Sequence, residues 1–103
     1  MKEPLWSPPQ DVIIVTRHEE LRQYLVEIGY IAHDADTISH AVVSDIKGRH
    51  VIGKIPLALA AHCRSVTEIP MRLEESDRGK VISLRRLREV ALSPQVFEVH
   101  RIA

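Results

Sequence analysis

Residues 12–19 read VIIVTRHE, and this short stretch decides the fold. Its first half, Val12 to Val15, is a run of apolar β-branched residues, which is typical of a strand covered on both faces in a parallel sheet. Thr16 and Glu19 have the spacing of a capping box, so we expect a helix to begin there. Apolar residues then recur at helical spacing: Leu21, Tyr24, Leu25 and Ile28. Gly29 is expected to end this helix.

The remainder of the chain continues to alternate strands with helices. Further strands are predicted over residues 37–43, 50–53, 66–71 and 96–102. Pro56 suits the first turn of a second helix over 57–61, because its missing N–H costs nothing there. Ser83 is expected to cap a third helix, which Ser93-Pro94 ends. This order predicts an α/β domain with a mostly parallel sheet and flanking helices.

The length suits one domain, which we place at residues 11–103. Residues 1–10 contain Trp6 and three prolines that interrupt regular strand pairing, so we predict an N-terminal arm there. Trp6 is then a candidate for packing on the domain itself or on a partner.

Composition disfavours several classes of function. The formal net charge is +0, which argues against binding of long duplex nucleic acid. Cys63 is the single cysteine and cannot form an intrachain disulfide. No apolar run approaches the roughly 20 residues that span a bilayer, so we predict no membrane partner and a cytoplasmic location. The histidines lack zinc-site spacing, and we predict neither a metal nor a cofactor.

Two turns are expected where ligands bind on such sheets, beyond the carboxyl ends of the strands. The first is Thr16-Arg17-His18, at a helix N-terminus whose N–H groups and partial positive charge attract phosphate. Arg17 adds a guanidinium that matches phosphate oxygens, and His18 adds a group that can donate a proton near neutral pH. The alternative is that Thr16 only caps the helix while Arg17 and His18 are solvated.

The second turn is Gly53-Lys54-Ile55-Pro56. Gly53 would let the backbone approach a ligand, and Lys54 supplies charge, although the turn lacks the pattern of a Walker-type phosphate loop. An ordinary strand-to-helix turn is the alternative. His40 in the predicted second strand and Arg78 in a charged loop are further candidates, with a hydrogen-bonded strand histidine as the alternative for His40. The two turns together predict a pocket for a phosphate-bearing nucleotide.

Three segments, in this order, resemble a known family: Val15-Thr16-Arg17-His18, residues 51–57 with Leu59-Ala60-Ala61, and Arg78-Gly79. It is the small, stand-alone Csx-type CRISPR-associated family found beside type III CRISPR systems, and the resemblance covers nearly the whole chain. It implies a minimal Rossmann-like domain of the CARF type, which senses cyclic oligoadenylates. This sequence departs from the family at two positions. Ala58 stands where family members often have His or Asn, and Lys54 stands where they often have Thr.

The resemblance implies a ring nuclease that binds and cleaves cyclic tetra-adenylate and thereby switches off antiviral signalling. The expected reaction needs no metal, because the ribose 2′-OH attacks the adjacent phosphorus. Arg17 and Lys54 would stabilise the charge that develops, and His18 would protonate the leaving oxygen, with His40 in reserve. The other residues assigned to substrate binding are Thr16, Gly53, Ile55, Pro56 and Arg78.

The two-fold symmetry of a cyclic tetranucleotide predicts a homodimer that binds the ring across its interface. Two other functions remain open. One is a non-catalytic sensor or sponge for the cyclic nucleotide, which the departure at Ala58 favours. The other is a regulatory interaction protein that docks through Trp6 and the N-terminal arm.

Overall fold

The computed structural model describes residues 11–103, so the predicted arm at 1–10 lies outside the described residues. Five strands form one sheet in the order β2-β1-β3-β4-β5. The strands are β1 Val12–Val15, β2 Asp36–Ile38, β3 His50–Gly53, β4 Ser65–Glu68 and β5 Gln95–Phe97. The helices are α1 Glu19–Glu27, α2 Val43–Ile46, α3 Leu57–Ala60 and α4 Leu84–Val90, with a 3-10 turn at Glu75–Asp77.

Strands β1 to β4 are parallel and β5 is antiparallel to β4. This confirms the predicted α/β fold with a mostly parallel sheet and flanking helices, and it is consistent with a Rossmann-like fold. No helix within residues 11–103 has the length and apolar character that crossing a membrane requires.

Helix α1 begins two residues later than a cap at Thr16 would place it. His18 occupies the N-cap position without a side-chain cap bond, and the Thr16 hydroxyl instead accepts the His18 N–H at 3.1 Å. The predicted capping box between Thr16 and Glu19 is therefore wrong. Gly29 does end the helix: it has a φ of 75°, and the N–H groups of Gly29 and Tyr30 return to the carbonyls of Val26 and Leu25.

The second strand is shorter than predicted, because a loop over residues 39–42 and the start of a helix at Val43 take its place. β2 ends at Ile38, and α2 begins at Val43 although Val42 and Val43 both favour strands. The Val42 N–H donates to the Asp45 carboxylate at 3.0 Å, and the helical turn places Ile46 in the core with no exposed surface. Burial of Ile46 thus overrides local β propensity.

The last two strands also end earlier than predicted. β4 stops at Glu68 because Pro70 cannot donate to a ladder, and Met71 makes only an isolated bridge to Ala91. β5 stops at Phe97, which pairs with Val66, because its partner strand begins only one residue before that.

The core has one layer on each face of the sheet, as alternate strand residues require. Ile13, Val15, Val51 and Val66 pack with Ile46 and Ala60 on the α3 side. Ile14 and Ile52 pack with Leu25 and Ile69 on the α1 side.

The amino-terminal edge of the sheet is held by two polar side chains at the start of β3. Arg49 donates to the carboxylates of Asp11 at 2.8 Å and Asp36 at 3.2 Å, and to the Val12 carbonyl at 3.2 Å. Its guanidinium therefore ties β1, β2 and β3 together.

His50 next to it has no exposed surface. Its ring nitrogens lie 2.5 Å from the Ser65 hydroxyl and 2.7 Å from the Thr67 hydroxyl, and Thr67 also contacts the Tyr30 hydroxyl at 2.9 Å. Burial, reinforced by the positive charge of Arg64, lowers the pKa of His50 to about 4. A neutral histidine therefore bridges β3 and β4.

Candidate functional site

The carboxyl edge of the sheet carries an open pocket. The last residues of β1 and β3, Val15 and Gly53, lie opposite each other in parallel register, and Ile38 at the end of β2 lies on the other side of Val15. The segments that follow these strands consequently leave the sheet side by side. They surround a pocket of about 640 Å³.

The pocket brings together all but two of the residues predicted for the site: Thr16, Arg17, His18, His40, Lys54, Ile55 and Pro56. Its apolar wall is completed by Val15, Leu21, Ala41, Leu59 and Met71, with Ser39 beside His40. The two turns that the sequence singled out are 37 residues apart in the chain and meet through the β1–β3 register. The roles assigned to these residues stay predictions.

The charge in this pocket is of one sign. Arg17 and Lys54 are both exposed, and neither makes an ion pair with any residue between 11 and 103. No aspartate or glutamate of the described chain lines the pocket. This pocket, called the cationic pocket below, therefore carries a local positive charge, although the whole chain has a formal net charge of +0.

The two pocket histidines are exposed and come from different segments. His18 is the residue before α1, and its backbone N–H is already bonded to the Thr16 hydroxyl. His40 lies in the loop after β2, so its prediction as a strand residue is wrong, because the strand ends at Ile38. Neither imidazole is held by a side-chain hydrogen bond to another residue in the described chain.

Gly53 and Arg78 are not among the described residues that line this pocket. Gly53 has a φ of 142°, and a Cβ added there would lie 2.2 Å from the Val15 carbonyl oxygen. Its glycine is thus required by close packing against β1, whereas the sequence reading attributed it to ligand approach. Arg78 is exposed after the 3-10 turn and is not among the lining residues within 11–103, so its assignment to substrate binding has no support in the geometry.

A family model matches residues 13–100, and its description reads "Putative CRISPR-associated protein (Cas_VVA1548)". The chain belongs to this CRISPR-associated family. The match spans every residue that lines the pocket. No curated protein and no solved structure matches the chain. Family membership thus confirms the CRISPR association that the resemblance implied.

Ala58, where the resemblance noted a departure, is exposed on α3 of this CRISPR-associated chain. It lines another pocket, with Leu57, Ala61, His62 and residues 99–101. It is not among the residues of the described chain that line the cationic pocket. The departure at Ala58 therefore leaves the composition of that pocket unchanged.

Sequence reasoning missed Ser39 and Met71 as pocket residues. Ser39 was placed inside a strand that was drawn too long, so its position just beyond the carboxyl end of β2 was lost. A strand boundary after Ile38 would have placed it with His40 at the same edge. Met71 reaches the pocket from the segment after β4, and no local pattern signals that placement.

Proposed function

We propose that this CRISPR-associated protein is a ring nuclease that binds cyclic tetra-adenylate and cleaves it without a metal ion, in support of a type III system. The observation that carries the proposal is the cationic pocket at the carboxyl edge. Arg17 and Lys54 converge there from two strands without a carboxylate among the lining residues of the described chain. A phosphodiester ring supplies the negative charge that such a pocket attracts.

Both cations suit phosphate chemistry. The planar guanidinium of Arg17 can bind two phosphate oxygens at once, and the Lys54 ammonium acts as a mobile point charge. Because neither is neutralised by a partner within residues 11–103, ligand binding need not break an existing ion pair. Leu21, Leu59 and Met71 form an apolar wall beside these charges, and a ligand packed against that wall would displace water and so strengthen the attraction between the charges and phosphate.

The proposed reaction transfers a phosphoryl group within the RNA. The ribose 2′-oxygen forms a bond to the adjacent phosphorus as the bond from phosphorus to the 5′-oxygen breaks. The 2′-OH loses its proton and the 5′-oxygen gains one, which leaves a 2′,3′-cyclic phosphate and a 5′-OH. His18 donates the proton to the leaving oxygen, with His40 as the second candidate, and Arg17 and Lys54 stabilise the phosphorane charge.

A dimer is part of this proposal. The pocket is open to solvent and lies on one edge of a single domain, whereas a cyclic tetranucleotide has two equivalent halves. A two-fold pair of these pockets would bind the two halves equally.

A non-catalytic cyclic-nucleotide sponge is the second candidate. It is favoured by one observation: within the described residues, no side-chain hydrogen bond orients His18 or His40. General acids are commonly held by a second group, so these imidazoles suit binding at least as well as catalysis.

One experiment separates these functions. Purified protein is incubated with cyclic tetra-adenylate in EDTA, and the products are resolved by chromatography. We expect linear di-adenylate that ends in a cyclic phosphate. The matched control ligand is the deoxy ring, which lacks the 2′-OH and should bind without being cleaved. Arg17→Ala protein purified in parallel controls for a contaminating nuclease.

Intact ring that co-elutes with the protein would contradict cleavage and support the sponge. Intact ring that does not co-elute would contradict both functions. Cleavage of the deoxy ring would contradict the 2′-OH mechanism.

A further inference from the structure

We propose that a second pocket, beside the cationic one, is a nucleobase site in which Phe97 stacks on an amino-bearing purine and Glu68 accepts its exocyclic N–H. This inference deepens the proposed function and rests on it for the identity of the natural ligand. Neither Phe97 nor Glu68 was assigned a role by the sequence.

The second pocket adjoins the first. It has a volume of about 290 Å³, and Lys54 and Ile55 line both pockets. A phosphate held by Lys54 therefore leaves its attached nucleoside within reach of the second pocket. The remaining lining is largely apolar: Gly53, Leu57, Ala60, Val66, Phe97 and Val99, with Glu68.

Phe97 is the aromatic residue of this lining. It lies opposite Val66 in the antiparallel β4–β5 pair, so its ring stands on the sheet face that carries α3. Phe97 is 43 % exposed, so part of its side chain is open to a ligand in this largely apolar pocket. Leu57 of α3, which also lines this pocket, is 75 % exposed. An exposed aromatic ring and an exposed aliphatic side chain that line one open pocket suit contact with the faces of a flat base.

Glu68 supplies selectivity for the edge of the base. It lies two residues after Val66 on β4, hence on the same face as Phe97. Its exposed carboxylate makes no ion pair with residues 11–103, and an ionised carboxylate only accepts hydrogen bonds. The Glu68 carboxylate would accept a hydrogen bond from an exocyclic amine. It would also repel phosphate, which directs the phosphate to the pocket that Arg17 lines. A purine that lacks the amine leaves this acceptor unpaired.

Binding of small ligands to the whole protein tests the site. Adenosine 5′-monophosphate, purine riboside 5′-monophosphate and ribose 5-phosphate are titrated to millimolar concentration, and binding is followed by NMR chemical shifts. We expect the adenosine compound to bind about tenfold more tightly than ribose 5-phosphate because of stacking. Purine riboside monophosphate, which lacks the amine, should bind several-fold more weakly than the adenosine compound.

Two variants assign the residues. Phe97→Leu keeps an apolar side chain on β5 but removes the ring, and it should abolish most of the advantage over ribose 5-phosphate. Glu68→Met keeps the length but removes the acceptor, and it should abolish the difference between the two purine compounds. Val96→Ala, on the opposite face of β5, is the matched control and should preserve both differences.

The proposal is overturned if wild-type protein binds all three compounds equally or binds none. It is also overturned if Phe97→Leu turns a dimer into a monomer while the base preference persists, because this face would then contact a second copy. Cleavage of cyclic tetra-adenylate without a base preference would refute the nucleobase site and leave the proposed function intact. A base preference without any binding of cyclic tetra-adenylate would refute the proposed function and leave the nucleobase site intact.

Discussion

The two ends of the sheet use the same kinds of side chain in opposite ways. At the amino-terminal edge, Arg49 binds two carboxylates and a carbonyl, and His50 is fully buried between two hydroxyl groups. At the carboxyl edge, Arg17 and His18 are exposed in a pocket, with no ion pair to any described residue. Arg49 and His50 therefore hold strands of the sheet together, whereas Arg17 and His18 are available to a ligand.

This difference shows how partners separate structural from functional residues. A guanidinium already bound to carboxylates has its charge and N–H donors largely occupied, whereas one without an ion-pair partner can use them to bind phosphate. Residue type alone does not distinguish Arg17 from Arg49, because both are arginines next to a strand of the same sheet. The comparison therefore predicts that substitutions at the carboxyl edge will change ligand cleavage, whereas substitutions at the amino-terminal edge will change the free energy of unfolding.

The largest effect is expected at the carboxyl edge. Arg17→Ala and Lys54→Ala should each reduce cleavage of cyclic tetra-adenylate by about 100-fold, since each removes a charge that stabilises the transition state. The midpoint of urea unfolding should change little, because neither side chain has an ion-pair partner in residues 11–103. Single-turnover kinetics and urea titration measure the two quantities.

Arg85→Ala is the matched control for these variants, because Arg85 is an exposed arginine on α4 outside the pocket. It should cleave at the wild-type rate. If Arg17→Ala both bound and cleaved like the wild type, the assignment of the carboxyl edge would be refuted.

The second effect is a pH dependence of stability at the amino-terminal edge. The pKa of His50 is lowered from 6.5 to about 4 in the fold, so between these values the unfolded chain binds a proton that the folded chain excludes. Stability is fully present above pH 6.5 and falls as the pH drops, by about 2 kcal/mol at pH 5. Urea unfolding at pH 7 and pH 5 measures this loss.

His50→Gln is the control, because its amide can bond the Ser65 and Thr67 hydroxyls without titrating. It should lose clearly less stability than the wild type over the same pH range. Equal losses in the two proteins would show that His50 is not the group responsible.

The smallest effect is expected from Arg49→Ala. The carboxylates of Asp11 and Asp36 that Arg49 binds are 59 % and 72 % exposed, and water screens such pairs. The variant should lose about 1 kcal/mol of unfolding free energy and retain wild-type cleavage per folded molecule. A 100-fold loss of cleavage in a folded Arg49→Ala protein would erase the distinction between the two ends.

Much of the fold was predictable because its signals are local. The β-branched run of β1, the apolar spacing of α1 and the glycine that ends it act within a few residues of one another. The errors occurred where distant contacts decide the outcome. Ile46 turns a β-prone stretch into α2 by entering the core, and β5 ends within one residue of the start of its partner strand.

The candidate site shows the same division. Thr16-Arg17-His18 and Gly53-Lys54-Ile55-Pro56 were predicted to form one pocket, because each follows a strand that the sequence marks clearly, and all of these residues except Gly53 line it. Ser39, Met71 and the second pocket around Phe97 were missed, because their neighbours belong to other segments. Arg78 was assigned from its place in a charged loop and from the resemblance, and it is not among the described residues that line the pocket.

By itself, the sequence determined the alternation of strands and helices and the two turns that carry basic residues. Hydrophobic periodicity and helix-ending glycine act locally and can be read from neighbouring letters. Only the tertiary structure decided which basic side chains are neutralised. Arg49 binds Asp11 and Asp36, whereas Arg17 and Lys54 line one pocket with no carboxylate among its lining residues in the described chain. These arrangements follow from strand order and register, which bring together residues far apart in the chain.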